Sequence, residues 1–312
     1  MFETEIARQE DGTLAGPWRR PRQMLSDQDY GGHASMHDDA TARSVGFRGG
    51  AIEGPTHFSQ FVPLCVAHFG ADWLAHGCLS AHYRAPAYEG DEVRAVLTPG
   101  PRGDAAQIRI ERADGTEILR GTASIGADAP PSALDERLSR LEPLAEPVIL
   151  SRVSVGARVP AVPVRMGMHD PMGALYPFTL ADKLRVITEP SPAYRGPDNP
   201  WGRPLVPFEM VSVLMQHTWD DTALGVKGPA LGMFADQEIR LVAGPVLQDV
   251  DYTLEREVVF LSGSRRTESA WIRSTLRDAA SGATVAIMLL NSAVLKETYA
   301  PYFAEREALY GR

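Results

Sequence analysis

Six of the eight histidines, His33, His37, His57, His68, His76 and His82, fall within one fifty-residue stretch of the first half of the chain. An imidazole titrates near neutrality and can take or give a proton, so this crowding marks where acid–base chemistry would sit. Its centre runs from Tyr30 to Thr56, YGGHASMHDDATARSVGFRGGAIEGPT, where Glu53 stands just before a glycine-led helix. A carboxyl at a half-buried helix start is drawn to its ionised form by the helix dipole and to its neutral form by burial. In either state Glu53 is a proton-transfer partner for His37. The same helix start offers backbone N–H groups to a substrate carbonyl: Gly54 can donate, Pro55 cannot, and Thr56 adds its N–H and its hydroxyl.

Each residue also has a structural reading. Glu53 can cap its helix or pair with an arginine such as Arg48. His33 and His37 are four apart, which would place them on one helix face, but a metal site needs a third ligand in register. For His57 and His68, on the helix that follows, a core role and a functional one both stay open, whereas His76 and His82 read as structural. Asp38 and Asp39 cap a short helix ending before Gly46. Gly49-Gly50 lacks the GxGxxG spacing of a phosphate loop, and no GxSxG elbow, P-loop or HExxH motif occurs.

The elements that must position these groups follow from periodicity. Over 54–69, Phe58, Phe61, Val62, Cys65 and Phe69 recur at helical spacing, with Pro55 in the first turn and Pro63 predicting a kink. Strand-like runs follow at 78–86, 91–98, 105–112 and 116–125, where Ile108 and Ile110 alternate with Arg109 and Glu111. The second half repeats the order: a helix at 178–188, a Pro/Gly/Asn-rich loop at 189–205, an apolar helix at 207–219, then strands at 230–243, 250–261, 265–277 and 282–295. Between them, 127–148 reads as a linker with a helical turn or two. The expected fold is α+β: one unit over 1–127, a linker over 128–148 and a second unit over 149–312. Each is an antiparallel sheet curled around a central helix, and the sheets join edge to edge. Long strands such as 250–261 suggest association into a homodimer.

The 312 residues carry a formal charge of -9, which argues against a nucleic-acid partner. Arg19, Arg20 and Arg22, and later Arg265 and Arg266, suit either a phosphorylated ligand or solvated strand ends. Two cysteines without a CxxC pair point to a reducing compartment. The acidic N-terminus is unlike a signal peptide, and the longest apolar stretch, 283–295, is too short to span a bilayer. A cytoplasmic protein without a membrane partner is expected.

The run His37-x-Asp39 with Ala42, Gly46-Phe47 and Ile52-Glu53-Gly54, followed by Tyr83-Arg84-Ala85-Pro86 and Glu89-Gly90-Asp91, resembles the MaoC-like (R)-specific enoyl-CoA hydratase and dehydratase family. The second half carries an echo in Glu189 to Tyr194 and Pro200 to Pro207. The resemblance implies a tandem (double) hotdog fold and hydro-lyase chemistry on an α,β-unsaturated or β-hydroxy acyl thioester, a CoA thioester foremost, with no metal or redox cofactor. The family's Asp-x-Asn-x-x-His motif keeps its histidine at His37, but Gly32 and Ala34 occupy the Asp and Asn positions; in the second half Glu189 and Tyr194 take the acid and histidine places. The resemblance thus assigns acid–base work to His37, with Glu53 or His33 supplying the second proton-transfer group. Gly54, Thr56 and His57 would bind substrate, and Tyr194 would shape the acyl pocket. Three alternatives stand beside it: a thioesterase using Glu53, a lyase or decarboxylase on a non-CoA metabolite, and a non-catalytic ligand-binding protein.

Overall fold

Strict alternation of apolar and polar residues makes strands with one buried face, and the run Ala105–Arg112 shows it: Ala106, Ile108 and Ile110 are buried while Gln107 is exposed. The computed structural model describes residues 2–311 and, at Asp221 and Thr222, the backbone alone. Its strands are β1 (Ala7–Arg8), β2 (Leu14–Ala15), β3 (Gly77–Tyr83), β4 (Val93–Pro99), β5 (Ala105–Arg112), β6 (Glu117–Ile125), β7 (Arg158–Val164), β8 (Gly232–Leu241), β9 (Tyr252–Gly263), β10 (Thr267–Asp278) and β11 (Thr284–Leu295). Among the described residues they form one antiparallel sheet in the order β1-β2-β4-β5-β6-β3-β8-β11-β10-β9-β7.

The two halves meet where β3 pairs with β8, from Cys78 opposite Arg240 to His82 opposite Asp236. Asp236 is fully buried at this seam and accepts from His82 Nδ1 at 2.7 Å and Asn291 Nδ2 at 2.7 Å, with Arg137 Nε at 3.1 Å. Three donors from three separate segments offset the cost of burying that carboxylate. Arg137 belongs to the helix Ala133–Leu138 within the 127–148 stretch, which closes its N-terminus with a Ser132/Asp135 capping box and lays the buried Leu134 onto the seam.

Each half wraps its sheet around a helix. In the first, a 3-10 turn, Gly54–His57, runs into the α-helix Phe58–Phe69; in the second the equivalent is Phe208–Gln216. The two helices touch through Phe58 and Phe208, whose ring centroids are 6.1 Å apart. Pro63 sits inside one continuous α-helix, and the change of helix type falls at His57–Phe58 instead of at the proline. Strand β9 lies inside the sheet, between β10 and β7. Its outer side is taken by β7 from Tyr252 to Glu257, and beyond that by the N–H groups of Gly156 and Leu144, which donate to Val258 and Leu261. No described helix is long and apolar enough to cross a membrane.

Candidate active site

A cavity of about 270 Å³ lies beside the first central helix, walled by His37, Glu53, Gly54, His57 and Tyr83 from the first half and by Tyr176, Gln216 and Trp219 from the second. Apolar side chains, among them Met36, Phe47, Ile118 and Met233, complete it. A largely apolar cleft with a few convergent polar groups is the usual form of a small-molecule site.

His37 reaches the cavity from a loop held on both sides. Asp38 caps the helix Asp39–Ser44 by accepting from Thr41 N, and Asp39 Oδ1 accepts from Gly50 N at 2.8 Å. Gly50 must lack a side chain, since a Cβ there would lie 2.2 Å from the His37 carbonyl oxygen. The ring Nδ1 is 2.6 Å from the carbonyl oxygen of Ala51. A carbonyl only accepts, so Nδ1 carries the hydrogen and Nε2 keeps its lone pair. Burial lowers the pKa of His37, partly opposed by the Ala51 hydrogen bond. It is a neutral base at neutral pH.

Glu53 is only 6% exposed. Tyr176 shares the cavity wall with it, and among the described residues Oε1 has no hydrogen-bond partner. Burial raises its pKa to about 7, against the pull of Lys183 and Tyr176 and with the push of Glu209. A carboxyl in this state holds a proton for much of its time at neutral pH. His57, 1% exposed, accepts at Nδ1 from Gln60 Nε2 at 3.3 Å and is pushed down to about 4 by burial and then by the Lys183 charge. It stays neutral.

Gly54 is where the central helix meets Tyr83: a Cβ there would come within 2.5 Å of the ring. That close approach lets the Tyr83 hydroxyl donate to Gln237 Oε1 at 2.9 Å, while Gln237 Nε2 donates to Ser212 Oγ at 2.7 Å.

The structure thus brings His37, Glu53, Gly54 and His57 to one cavity, and it places three other expected residues elsewhere. His33 does not line the cavity. The chain turns back at Tyr30–His33 instead of running as a helix, and the His33 ring packs on Gly228 with Nδ1 3.2 Å from the Ala230 oxygen. Thr56 lies just behind the wall, its N–H donating to the Glu53 carbonyl at 3.1 Å, so that N–H is not available to a substrate. Tyr194 lines a separate cavity of about 20 Å³ and packs edge-on against Phe2. Beside it the other motif-position residue of the second half, Glu189, is closed off by a bidentate Arg19, at 2.7 and 3.1 Å, and by Thr4. Arg48 pairs with Asp91, not with Glu53.

Residues that the spacing did not reveal complete the site. Tyr176, Gln216 and Trp219 come from the second half, as does a buried ion pair behind Glu53, in which Lys183 Nζ is 3.3 Å from Glu209 Oε2. One signal for this pair was present: Lys183 falls on the apolar stripe of Leu180 and Leu184, and Glu209 sits within the apolar run from Phe208 to Met215.

No family model matches the chain, and no curated protein matches it by sequence. Its structure is similar to that of a Chloroflexus aurantiacus protein classed as a MaoC domain dehydratase, at 12% identity over 95% of each chain with a TM-score of 0.53. It is also similar to Rv0216 of Mycobacterium tuberculosis, a double hotdog protein, at 12% identity over 95% of this chain and 96% of that one with a TM-score of 0.54. Identity this low speaks to architecture and not to chemistry. The chain has the double hotdog fold, an antiparallel α+β architecture that it shares with MaoC-like dehydratases.

Proposed function

We propose that the protein is a hydro-lyase that dehydrates a β-hydroxy acyl thioester, a CoA thioester foremost, or hydrates the corresponding α,β-unsaturated one. The observation that carries this reading is one cavity holding two groups of opposite readiness: His37, neutral with Nε2 free, and Glu53, a carboxyl that keeps its proton near pH 7. In dehydration, Nε2 of His37 takes the proton from the carbon beside the thioester carbonyl. The electron pair forms the carbon–carbon double bond, the β carbon–oxygen bond breaks, and Glu53 gives its proton to the departing hydroxyl, which leaves as water. His37 then holds the proton taken from the substrate carbon and Glu53 is left ionised, and passage of that proton to Glu53 resets the site. Hydration is the same path reversed.

In this reading Glu53 takes the place of the acid missing at Gly32. The Gly54 N–H, first of its helix and without an intrahelical acceptor, is left to polarise the carbonyl. The Thr56 N–H, spent on the Glu53 carbonyl, is lost to the hydro-lyase and thioesterase readings alike.

The test is mass spectrometry of purified protein mixed with trans-2-enoyl-CoA and 3-hydroxyacyl-CoA thioesters of short and medium length. Gain or loss of one water with the thioester intact, reduced ~10²–10⁴-fold by His37→Ala, is the expected result. Release of free CoA would turn the case to hydrolysis. Return of every thioester unchanged would sink the proposal.

A further inference from the structure

A second layer of charge lies behind the acid of the cavity. Lys183, on the helix Leu180–Val186, is 3% exposed, and Glu209, in the first turn of the second central helix, is 2% exposed. Besides its contact with Glu209 Oε2 at 3.3 Å, Lys183 Nζ lies 3.5 Å from Thr56 Oγ1 and 5.2 Å from the centre of the Phe178 ring. Thr56 in turn ties its N–H to the Glu53 carbonyl, so the ion pair abuts the turn that carries Glu53. Glu53 and Glu209 each keep one buried oxygen, Oε1, without a hydrogen-bond partner among the described residues.

The charge count decides what this arrangement does. Two carboxyls face one ammonium, and an unbalanced buried anion costs more than a retained proton, so the group of three holds one proton. The neighbours do not change the count. Tyr176 and Tyr83 stand by Glu53, and Tyr194 stands near Glu209. His57 is neutral, and Arg256, beyond Tyr176, is charged but bonds neutral acceptors, Met215 O and Thr218 Oγ1 at 2.8 Å each, and pairs with neither carboxyl. Glu189, past Tyr194, is already matched by Arg19.

We propose that Lys183 and Glu209 are positioning residues that set how firmly Glu53 keeps its proton: Lys183 loosens it, and Glu209, by drawing on the same ammonium, tightens it. Two residues of the second half thereby adjust an acid of the first. The charge relation is a property of the unliganded protein. Only its effect on turnover rests on the hydro-lyase reading.

The test is a ¹³C NMR titration of the Glu53 carboxyl, assigned by its loss in Glu53→Gln. Glu209→Gln, which leaves Lys183 to act on Glu53 alone, should move the Glu53 midpoint down by at least about one pH unit; Lys183→Met should move it up by at least as much. Opposite signs are what a packing role cannot produce. If Lys183→Met does not fold, the double variant Lys183→Met/Glu209→Gln removes both charges at nearly constant volume, and its midpoint should return toward that of the wild type. Midpoints unmoved, or moved in the same direction by both single variants, would overturn the proposal. A midpoint that moves as stated while the pH dependence of dehydration stays fixed would leave the charge relation standing and remove Glu53 from the chemistry.

Discussion

Tyr176, in the second half of the chain, shares one cavity wall with Glu53, in the first. The pair brings the two sheet-and-helix units together at the cavity they share. The Tyr176 side chain favours the ionised carboxylate, which makes it a brake on the rise in the Glu53 pKa. Tyr176→Phe should therefore raise that pKa further and carry the high-pH limb of the dehydration profile upward. A pH–rate profile with an unmoved limb would remove this contact from the reaction.

Glu53→Gln separates cost from use. The folded-state pKa is raised from 4.5 to about 7, so the native fold carries no penalty below pH 4.5 and loses stability as pH rises toward 7. At ~1.4 kcal/mol per pH unit the loss above pH 7 is roughly 3 kcal/mol. Urea unfolding should find Glu53→Gln more stable than wild type by about that amount at pH 8 and similar to it near pH 4.5, while dehydration is abolished. Equal stability at both pH values would mean that Glu53 ionises freely.

His57 works in the opposite direction. Its pKa is depressed to about 4, so its contribution is fully present above pH 6.5 and is lost as pH falls toward 4. His57→Gln should flatten the acid limb of the stability curve by roughly 3 kcal/mol between those limits, a difference that calorimetry at pH 7 and pH 4 would detect.

Gly54→Ala places a Cβ 2.5 Å from the Tyr83 ring. The ring must retreat and release Gln237, which we expect to cost ~1–3 kcal/mol in thermal unfolding. Combining it with Tyr83→Leu, which vacates that space, should cost less than the two changes summed. Strict additivity would place the strain elsewhere.

How much of this was legible beforehand depends on how local each signal was. Ile108 and Ile110 announce β5, and Phe58, Phe61, Val62 and Cys65 announce the central helix, because period and burial agree along the chain. Strand β7, RVPAVPV, was not foreseen: its two prolines cannot donate, and it survives only at the sheet's edge beside β9. In the site, His37, Glu53 and His57 could be picked out because one segment carries all three. Tyr176, Lys183 and Glu209 could not be placed, since only the pairing of β3 with β8 and the packing of the two central helices bring them to Glu53. His33 misled for the converse reason: adjacency in sequence counted for less than the turn at Tyr30–His33 that leads it to Ala230.

The shared wall has a mechanical corollary. A molecule seated between Glu53 and Trp219 grips both units at once, so its binding free energy is spent across the β3–β8 seam and not within either unit. Occupancy acts as a rivet: a tight ligand must raise the melting of both units together and draw any two separate transitions of the free chain toward one.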